Sequence, residues 1–325
     1  MSRSMVATMV TGRPPALRWG VLGARSRIFR QRLRPAFDLA GQRIVAEASR
    51  HGDSTAAYLD VVANPLVDAV YVPLPNALHV EWVARALDAG KHVLCEKPLS
   101  MSAPDTAALY ERAAAADRHL SEAYMWPHHP RAQVLLRAAT AGELGRLVAH
   151  HGVFQYDVGK ADDHRLDERG GGALFDVGIY CLGPALLMAP ELSRGRAVAT
   201  ATRNEAGVDT AMSGWAELAP GFGASFVACC DAPPRRYQEV VGTEGAVLLE
   251  NPMPGPERAG TLVVQRRDGG RDEIPFAGAN AYERMVAAFV AEAAGAQAPA
   301  WPADQSVRLA RLLDVLHHAS TTIPA

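Results

Sequence analysis

The chain lacks several features that define common classes of protein. No run approaches the roughly 20 apolar residues that a membrane-spanning helix requires, and the first 16 residues lack the sustained apolar core of a signal peptide. The formal charge of −2 arises from mixed signs, without a basic stripe. These absences lead us to expect no membrane association, no nucleic-acid partner and a small molecule as the ligand.

Cysteine is scarce, with four residues among 325. Their spacing is not that of a metal site, and the adjacent Cys229 and Cys230 point to opposite faces of a predicted strand. We interpret all four as reduced thiols of a cytoplasmic protein. Three histidine pairs also lack the spacing of a zinc motif, so we expect no metal site. The pairs are His128-His129, His150-His151 and His317-His318.

The order of the predicted elements indicates two kinds of architecture. Strands and helices alternate from residue 17 to residue 122, which is typical of a parallel α/β sheet. From residue 147 to residue 267 seven strands follow one another, which favours an antiparallel sheet, and the chain ends in two helices. A hydrophobic fraction of 49% is enough to fill two cores in a chain of this length.

The stretch Cys95-Glu96-Lys97-Pro98-Leu99 follows a short apolar strand. Ligands of open α/β sheets bind outside the carboxyl ends of the strands, so we expect Lys97 in that crevice. Pro98 disfavours helical backbone at Lys97 and holds the lysine extended on a stiff turn. An ordinary surface lysine is the alternative for an isolated motif of this kind.

The first predicted strand ends in a glycine turn that runs into a helix. In the dinucleotide fingerprint, glycines allow a tight turn and a close approach of the pyrophosphate to the helix N-terminus. Two glycines match that pattern here, and arginine and serine side chains occupy the region of its third small residue. The predicted contacts are Gly20, Gly23, Arg25, Ser26 and Arg27.

The second predicted strand ends in Ser49 and Arg50, where NAD-preferring proteins commonly carry an acidic residue. A hydroxyl and a guanidinium can instead bind the 2′-phosphate of NADP, since arginine forms bidentate bonds with phosphate oxygens. We therefore expect NADP(H) in preference to NAD(H). The alternative is that both residues cap a loop and that the protein accepts either cofactor.

Three glycines, Gly170-Gly171-Gly172, precede a predicted helix over residues 173–188. Such a run is unusual in a helix and allows the backbone to approach another surface closely. Asp176 and Tyr180 are four residues apart and therefore share one helix face. The alternative assigns Asp176 to the helix dipole and Tyr180 to packing.

Two tracts closely resemble the signatures of the glucose–fructose oxidoreductase and inositol dehydrogenase family. The first comprises residues 67–76, His79 and residues 89–99, and the second comprises residues 170–180. The resemblance implies an α/β Rossmann-like N-terminal domain followed by an α+β domain with an open, mostly antiparallel sheet. On this basis we divide the chain into three parts. They are a flexible tail (1–16), a dinucleotide-binding domain (17–122) and a substrate-binding and oligomerisation domain (123–325).

The segment after Arg50 departs from the family pattern. It has room for one short helix before the strand 69–72, but not for a further strand and helix, because a parallel crossover alone needs a dozen or more residues. We therefore expect a shortened Rossmann-like domain without one edge strand and its helix. Contacts to the adenosine are then reduced, and the nicotinamide side is intact.

The resemblance implies an NAD(P)-dependent oxidoreductase that acts on CH–OH or C=O groups. The family's second signature often ends in histidine, whereas sugar ketoreductases of deoxysugar pathways resemble this chain in having tyrosine, here Tyr180. The implied reaction is reduction of a ketone on a sugar, a nucleotide-linked 3-keto-deoxyhexose. The alternatives are a dehydrogenase of a free sugar, cyclitol, aminoglycoside precursor or diol, and a catalytically silent NADPH-binding sensor or scaffold.

The resemblance also implies roles for individual residues. Lys97 binds the reacting oxygen and Tyr180 transfers its proton, with a nearby ammonium expected to lower the tyrosine pKa from its usual value of about 10. Asp176 orients the substrate or the lysine. The residues implied near the cofactor are Pro73, Leu74, Asn76, His79, Glu96, Lys97 and Pro98. Those implied near the substrate are Trp126, His128, Arg165, Asp176 and Tyr180, although an exposed charged loop is an equal alternative for Arg165.

The family commonly associates through the exposed face of its second sheet. We therefore expect a homodimer or homotetramer formed through the C-terminal sheet, with a small-molecule sugar as the substrate.

Overall fold

Two β-sheets organise the chain in this computed structural model, which describes residues 16–49, 54–159, 163–189, 196–252 and 259–323. The first sheet has five parallel strands. They are β1 (Arg18–Leu22), β2 (Arg43–Ala48), β3 (Ala69–Val72), β4 (His92–Glu96) and β5 (Leu120–Ala123). Their order in the sheet is β2-β1-β3-β4-β5, so the strand order reverses between β1 and β3, where open sheets of this kind bind ligands.

Helices cover both faces of the first sheet. They are α1 (Arg34–Leu39), α2 (Ser54–Ala63), α3 (His79–Asp88) and α4 (Ala103–Ala115). Alternate residues of β3 belong to different cores: Tyr71 packs with Phe37 of α1, and Val70 packs in the core that contains Trp82 of α3. A strand buried on both faces needs no polar alternation, which explains the continuous apolar runs in the sequence.

The short segment between β2 and β3 has the size that the sequence predicts. In the described residues 54–68 it contains helix α2 and no strand, so the shortened Rossmann-like sheet is present. Helix α4 begins at a side-chain cap, because the Ser102 side chain accepts a hydrogen bond from the backbone N–H of Asp105 at 3.4 Å.

Nine strands form the second sheet. They are β6 (Leu147–Asp157), β7 (Ala197–Arg203), β8 (Asp209–Ala219), β9 (Phe222–Cys229), β10 (Asp231–Gly242), β11 (Gly245–Glu250), β12 (Gly260–Arg266), β13 (Arg271–Phe276) and β14 (Ser320–Ile323). Their order is β13-β12-β11-β10-β6-β9-β8-β7-β14. Only the pairs β6–β9 and β7–β14 are parallel among these described strands, which confirms the mostly antiparallel sheet.

The described residues of the second part of the chain contain four α-helices: α5 (Pro130–Thr140), α6 (Ile179–Met188), α7 (Ala281–Ala293) and α8 (Ala303–Ala319). Helix α6 packs on β6 and β9, and α8 packs on α6 and β7. Helix α7 instead contacts α1, with the ring of Phe289 at 5.0 Å from that of Trp19 in β1. The division at residues 122 and 123 therefore stays a prediction. No helix of the described residues is long and apolar enough to cross a membrane.

Some elements differ from the sequence-based expectation. The single helix predicted after the first glycine turn is instead a π-helical turn, Phe29–Leu33, followed by α1. Pro35 explains the change of register, since it has no N–H to donate to a carbonyl of the preceding turn. Strand β13 escaped prediction because it is an exposed edge strand without apolar alternation.

Candidate active site

A cleft of about 580 Å³ opens at the carboxyl ends of β1, β3 and β4 and faces the second sheet. Most of the predicted site residues line it. On the side of the first sheet these are Gly23, Arg25, Ser26, Arg27, Ser49, Pro73, Leu74, Asn76, Glu96 and Lys97. On the opposite side they are Arg165, Asp176 and Tyr180. The predicted residues Gly20, His79, Pro98, Trp126 and His128 do not line the cleft, and Arg50 lies outside the described residues.

The glycine turn after β1 has a backbone that only glycine adopts readily. Gly23 has a φ of +93°, and a Cβ atom there would lie 3.0 Å from Leu74 Cδ2 and 3.2 Å from the backbone oxygen of Pro73. The turn is fixed by the Gly23 N–H, which donates to the Ala48 carbonyl at 2.8 Å. Glycine at this position therefore lets the loop after β3 pack closely against the turn, and both segments line the cleft. Gly20 instead packs below the cleft, where a Cβ atom would lie 2.6 Å from Val61.

Lys97 joins the two sides of the cleft. Its ammonium donates to the Asp176 carboxylate Oδ1 at 2.9 Å and to the Asp176 backbone oxygen at 2.5 Å. The same Nζ atom lies 5.2 Å from the centroid of the Tyr180 ring. The lysine and aspartate side chains are 12% and 15% exposed. The fold therefore brings the three predicted catalytic side chains together from two separate sequence motifs.

Asp176 is the centre of the polar network. Its Oδ2 atom accepts a hydrogen bond from the Tyr156 hydroxyl and lies 3.7 Å from Arg165 Nε. Burial acts to raise the pKa of Asp176, but the charges of Lys97 and Arg165 and the hydrogen bond from Tyr156 outweigh it, and the pKa is lowered. The carboxylate is therefore ionised at neutral pH and holds the ammonium of Lys97 in place.

The expected lowering of the Tyr180 pKa is wrong for this structure. Tyr180 is only 9% exposed, and burial, with Tyr282, Glu96, Tyr124 and Asp176 nearby, raises its pKa well above the usual value. Desolvation disfavours the charged phenolate, and this effect exceeds that of the ammonium 5.2 Å from the ring. Tyr180 is a neutral phenol at physiological pH and is suited to donate a proton.

The helix that carries Tyr180 is supported from the second sheet. Pro184 has no N–H to donate to the carbonyl of Tyr180, four residues earlier in α6. The buried Gln238 of β10 supplies the missing donor, with its Nε2 atom at 2.8 Å from that carbonyl oxygen. Proline therefore frees a backbone oxygen that ties the helix carrying Tyr180 to a strand 58 residues away.

The close approach predicted for the three glycines is confirmed. A Cβ atom would lie 2.3 Å from the His164 oxygen at Gly170, 2.7 Å from Met101 Sδ at Gly171 and 2.5 Å from Asp209 Oδ1 at Gly172. Gly171 and Gly172 also have φ values of +76° and +89°. The predicted helix over 173–188 begins with a π-helical turn, Leu174–Gly178, before α6.

His79 lies beneath the cleft. It is fully buried, and its two ring nitrogens lie 2.8 Å from the carbonyl oxygens of Pro98 and Leu74. A neutral imidazole donates through one nitrogen only, so one of these contacts is a hydrogen bond at a time. His79 therefore braces the loops after β3 and β4, next to Glu96, which accepts the Tyr71 hydroxyl at 2.6 Å.

Trp126 and His128 are packed in the core. They belong to a short 3₁₀ turn, Trp126–His128, and are 0% and 9% exposed. Burial lowers the pKa of His128 to about 4, so this ring is neutral at physiological pH. Met125, the residue before this turn, lines the cleft in their place.

Several residues that line the cleft were not predicted. They are Phe154 and Tyr156 of β6, Arg236 of β10, Tyr282 of α7 and Arg32 of the π-helical turn after β1. The Arg236 guanidinium lies 4.5 Å from the centroid of the Phe154 ring, which is 5.7 Å from that of Tyr180. Strand alternation shows which side chains share a face, but only the strand order shows which strands border the cleft.

The comparisons with known proteins agree with this architecture. A model of an oxidoreductase family with an NAD-binding Rossmann fold matches residues 17–124, and a model of the GFO/IDH/MocA C-terminal domain matches residues 133–248. The chain therefore belongs to the GFO/IDH/MocA oxidoreductase family. It is an NAD(P)-dependent oxidoreductase of the class that acts on CH–OH or C=O groups.

Two curated relatives cover most of the chain. D-xylose 1-dehydrogenase (NADP(+)) 2 of Haloferax volcanii is 35% identical over 86% of this chain and 87% of its own length. A dTDP-3,4-didehydro-2,6-dideoxy-alpha-D-glucose 3-reductase of Saccharopolyspora spinosa is 32% identical over 84% of this chain and 86% of its own length. Among solved structures, KijD10, a 3-ketoreductase from Actinomadura kijaniata in complex with NADP and TDP-benzene, has a TM-score of 0.85 and 25% identity. That match covers 96% of this chain and 100% of KijD10.

The residues of the cleft fit a dinucleotide on the evidence of this structure. The Gly23 turn lines the cleft with a residue that has no side chain, and it lies directly after β1 at the strand-order reversal. Ser26, at the start of the following helical segment, and Ser49, after β2, line the same end of the cleft. Glu96 and Lys97 mark the other end, next to the Asp176 network.

Proposed function

We propose that the protein reduces a ketone on a nucleotide-linked 3-keto-deoxyhexose with NADPH. The observation that carries this proposal is the buried contact between Lys97 and Asp176 beside the Tyr180 ring, in the cleft that fits the dinucleotide. It places a fixed cation beside the ring of a neutral phenol. A carbonyl oxygen that gains negative charge needs both, one to stabilise the charge and one to supply a proton.

Each side chain has a defined part in the reduction. NADPH, when bound, supplies the hydride that the carbonyl carbon receives. Lys97 donates a hydrogen bond to the carbonyl oxygen and stabilises the charge that develops there. Tyr180 donates its phenolic proton to that oxygen, which becomes the product hydroxyl, and solvent later reprotonates the tyrosine. Asp176 keeps the ammonium in position and does not exchange protons, because its pKa is lowered.

The arginines of the cleft favour a phosphorylated substrate. Arg165 is already paired with carboxylates, at 2.8 Å from Asp163 and 3.7 Å from Asp176. Arg32 is exposed and has no carboxylate within 4.0 Å among the described residues. The charges of Arg32 and Arg236 both act to lower the pKa of Tyr282, against a larger effect of burial, so the two guanidinium groups face the same part of the cleft. Guanidinium groups bind phosphate oxygens in bidentate geometry. We infer that a diphosphate linker lies toward Arg32 and Arg236, which fits the 3-reductase relatives better than a free sugar.

A free sugar is the second candidate substrate. The relative from Haloferax volcanii is a D-xylose 1-dehydrogenase, and the parts proposed for Lys97 and Tyr180 require only a carbonyl or hydroxyl group on the substrate. A silent NADPH-binding sensor or scaffold is disfavoured, because a binding protein has no chemical need for the buried Lys97–Asp176 pair beside a neutral tyrosine.

We retain the homodimer or homotetramer through the second sheet as a proposal.

The preference for NADP(H) is also a proposal. Ser49 lines the cleft directly after β2, where NAD-preferring proteins commonly place a carboxylate, and Arg25 and Arg27 line the same end. Replacement of Ser49 by glutamate should weaken NADPH binding at least about 10-fold through charge repulsion and leave NADH binding within about 2-fold. Fluorescence titration measures both affinities. Equal losses for the two cofactors would contradict the preference.

The function is tested by adding substrates to the purified protein after titration with NADPH and NADH. Oxidation of NADPH is followed with a dTDP-linked 3-keto-2,6-dideoxyhexose, and reduction of NADP+ is followed with free sugars and polyols, whose oxidation is the reverse direction. We expect tight NADPH binding and turnover of the nucleotide-linked ketone. Turnover of free sugars alone would favour the second candidate, and binding without turnover of the whole panel would favour the sensor.

A further inference from the structure

The carboxylate of Asp209 lies directly behind the catalytic turn, outside the cleft. Asp209 is the first residue of β8 and is fully buried. Its Oδ2 atom accepts a hydrogen bond from the backbone N–H of Leu174 at 2.8 Å. Leu174 begins the π-helical turn Leu174–Gly178, which contains Asp176. One hydrogen bond therefore connects β8 to the segment that holds the catalytic carboxylate.

The catalytic turn depends on this distant carboxylate for its cap. The first N–H groups of a helical segment have no partner within the helix, and Ala173, the residue in the N-cap position, supplies no side-chain hydrogen bond. Asp209 supplies it from 35 residues further along the chain. A carboxylate is also favourable at the positive end of a helical segment.

The third glycine is shaped to this contact. Gly172 has a φ of +89°, and a Cβ atom there would lie 2.5 Å from Asp209 Oδ1 and 2.6 Å from the Asp209 carbonyl oxygen. Burial raises the pKa of Asp209 to about 6, against the opposing effects of the Leu174 and Ala173 N–H groups and the charge of Arg203. Burial of a carboxylate costs desolvation free energy, and the hydrogen bond to the Leu174 N–H, which an apolar residue could not accept, offsets part of it.

The position of the turn sets the position of Lys97. The lysine ammonium is held by both the carboxylate and the backbone oxygen of Asp176, so a displaced turn moves it directly. We propose that Asp209 is a positioning residue of the ketone reduction, which fixes the turn Leu174–Gly178 so that Asp176 presents Lys97 to the reacting oxygen. This inference rests on the proposed function. A misplacement of about 1 Å costs on the order of 100-fold in rate.

The chain offers a matched control for the test. Asp314 Oδ2 accepts the backbone N–H of Ala103 at 2.9 Å and so caps α4 from a distant element, as Asp209 caps the catalytic turn. Helix α4 contributes no residue to the cleft. Asp209→Ala should lower kcat at least about 10-fold with the Kd for NADPH unchanged, whereas Asp314→Ala should lose thermal stability and keep kcat. Asp209→Asn keeps an acceptor oxygen and should recover most of kcat.

A double-mutant cycle separates positioning from general destabilisation. If Asp209 acts through Asp176, adding Asp209→Ala to Asp176→Ala should change kcat less than about 2-fold, although the thermal stability still falls. A purely structural residue would lower kcat by the same factor in both backgrounds. That result, or an equal loss of kcat in Asp314→Ala, would overturn the proposal. If Asp209→Ala does not fold, Asp209→Ser takes its place in the cycle, with the same expected results.

A second readout does not depend on turnover. Acetylation of Lys97 by acetic anhydride, quantified by mass spectrometry, should be slow in the wild type, where the side chain is 12% exposed and paired with Asp176. It should accelerate several-fold in Asp209→Ala but not in Asp314→Ala. If no ketosugar is turned over, the proposed function fails, and this reactivity still decides the role of Asp209. Equal reactivity in all three proteins would refute it.

Discussion

The two sides of the cleft are built in different ways. The first sheet contributes short contiguous tracts at strand ends, such as the Gly23 turn after β1 and Pro73 to Asn76 after β3. The second part contributes single side chains from separate elements, including Tyr156, Tyr180 and Arg236. The turns proposed to bind the dinucleotide are therefore formed by residues that are contiguous in the chain, whereas the proposed catalytic groups come together only through the order of strands and helices.

Loss of Lys97 should have the largest effect, because this residue is the contact between the two sides. Lys97→Ala should lower kcat by about 10³-fold, since it removes both the donor to the reacting oxygen and the partner of Asp176. Steady-state NADPH oxidation measures the loss. Lys91→Ala is the matched control: that lysine donates to the Asn64 and Val67 carbonyls outside the cleft, so its loss should affect stability and not kcat.

Replacement of His150, in the second sheet, should change how the stability of the fold depends on pH. His150 is fully buried on β6, and burial lowers its pKa to about 3 from the usual 6.5. Because the unfolded chain takes up this proton more readily, the histidine lowers the stability of the fold as the pH falls from 6.5 toward 3. Its contribution between pH 7.5 and pH 5 is about 2 kcal/mol.

Urea denaturation of His150→Leu at these two pH values measures that contribution. The variant should lose about 2 kcal/mol less than the wild type on acidification, because it has no buried imidazole to protonate. Neither ring nitrogen has a hydrogen-bond partner among the described residues, so the substitution breaks no side-chain hydrogen bond there. An identical pH dependence in the two proteins would show that His150 does not contribute to acid sensitivity.

Tyr156 tests whether the unpredicted side of the cleft shapes the chemistry. Tyr156→Phe removes the hydrogen bond to Asp176 Oδ2 and retains the ring, so kcat should fall about 10-fold through a less ordered carboxylate. Tyr110→Phe is the control, because its hydroxyl bonds Ser306 at 2.9 Å away from the cleft. Similar kcat values for both variants would show that the Tyr156 hydroxyl does not help to order Asp176 for the reaction.

Substitution of Ser102, away from the strand ends of the first sheet, should give the smallest effect and change stability only. Ser102→Ala removes one of the two side-chain hydrogen bonds at the start of α4 and leaves that of Asp314, so it should cost about 1 kcal/mol of folding free energy. Because the residues of α4 lie outside the cleft, the rate of NADPH oxidation should not change. A loss of kcat in this variant would show that the first sheet couples to catalysis beyond its strand ends.

The sequence predicted the fold class because strand and helix periodicity are local. It also predicted Lys97, Asp176 and Tyr180, because these residues belong to contiguous motifs. It did not predict Tyr156 or Asp209, since a strand that alternates buried and half-buried residues gives no sign of which helix packs against it. The direction of the Tyr180 pKa was wrong for a related reason, because the sequence shows the neighbouring charge but not the depth of burial.

The most direct test of the account is the rate of a single turnover after rapid mixing of the NADPH-loaded protein with a dTDP-linked 3-keto-2,6-dideoxyhexose. Wild-type protein and Tyr180→Phe are compared at neutral pH, with NADPH affinity measured for both. We expect equal NADPH binding and a rate at least about 100-fold lower in the variant, because the proton donor is lost. Equal rates in the two proteins would contradict the assignment of Tyr180 and with it the proposed chemistry of the cleft.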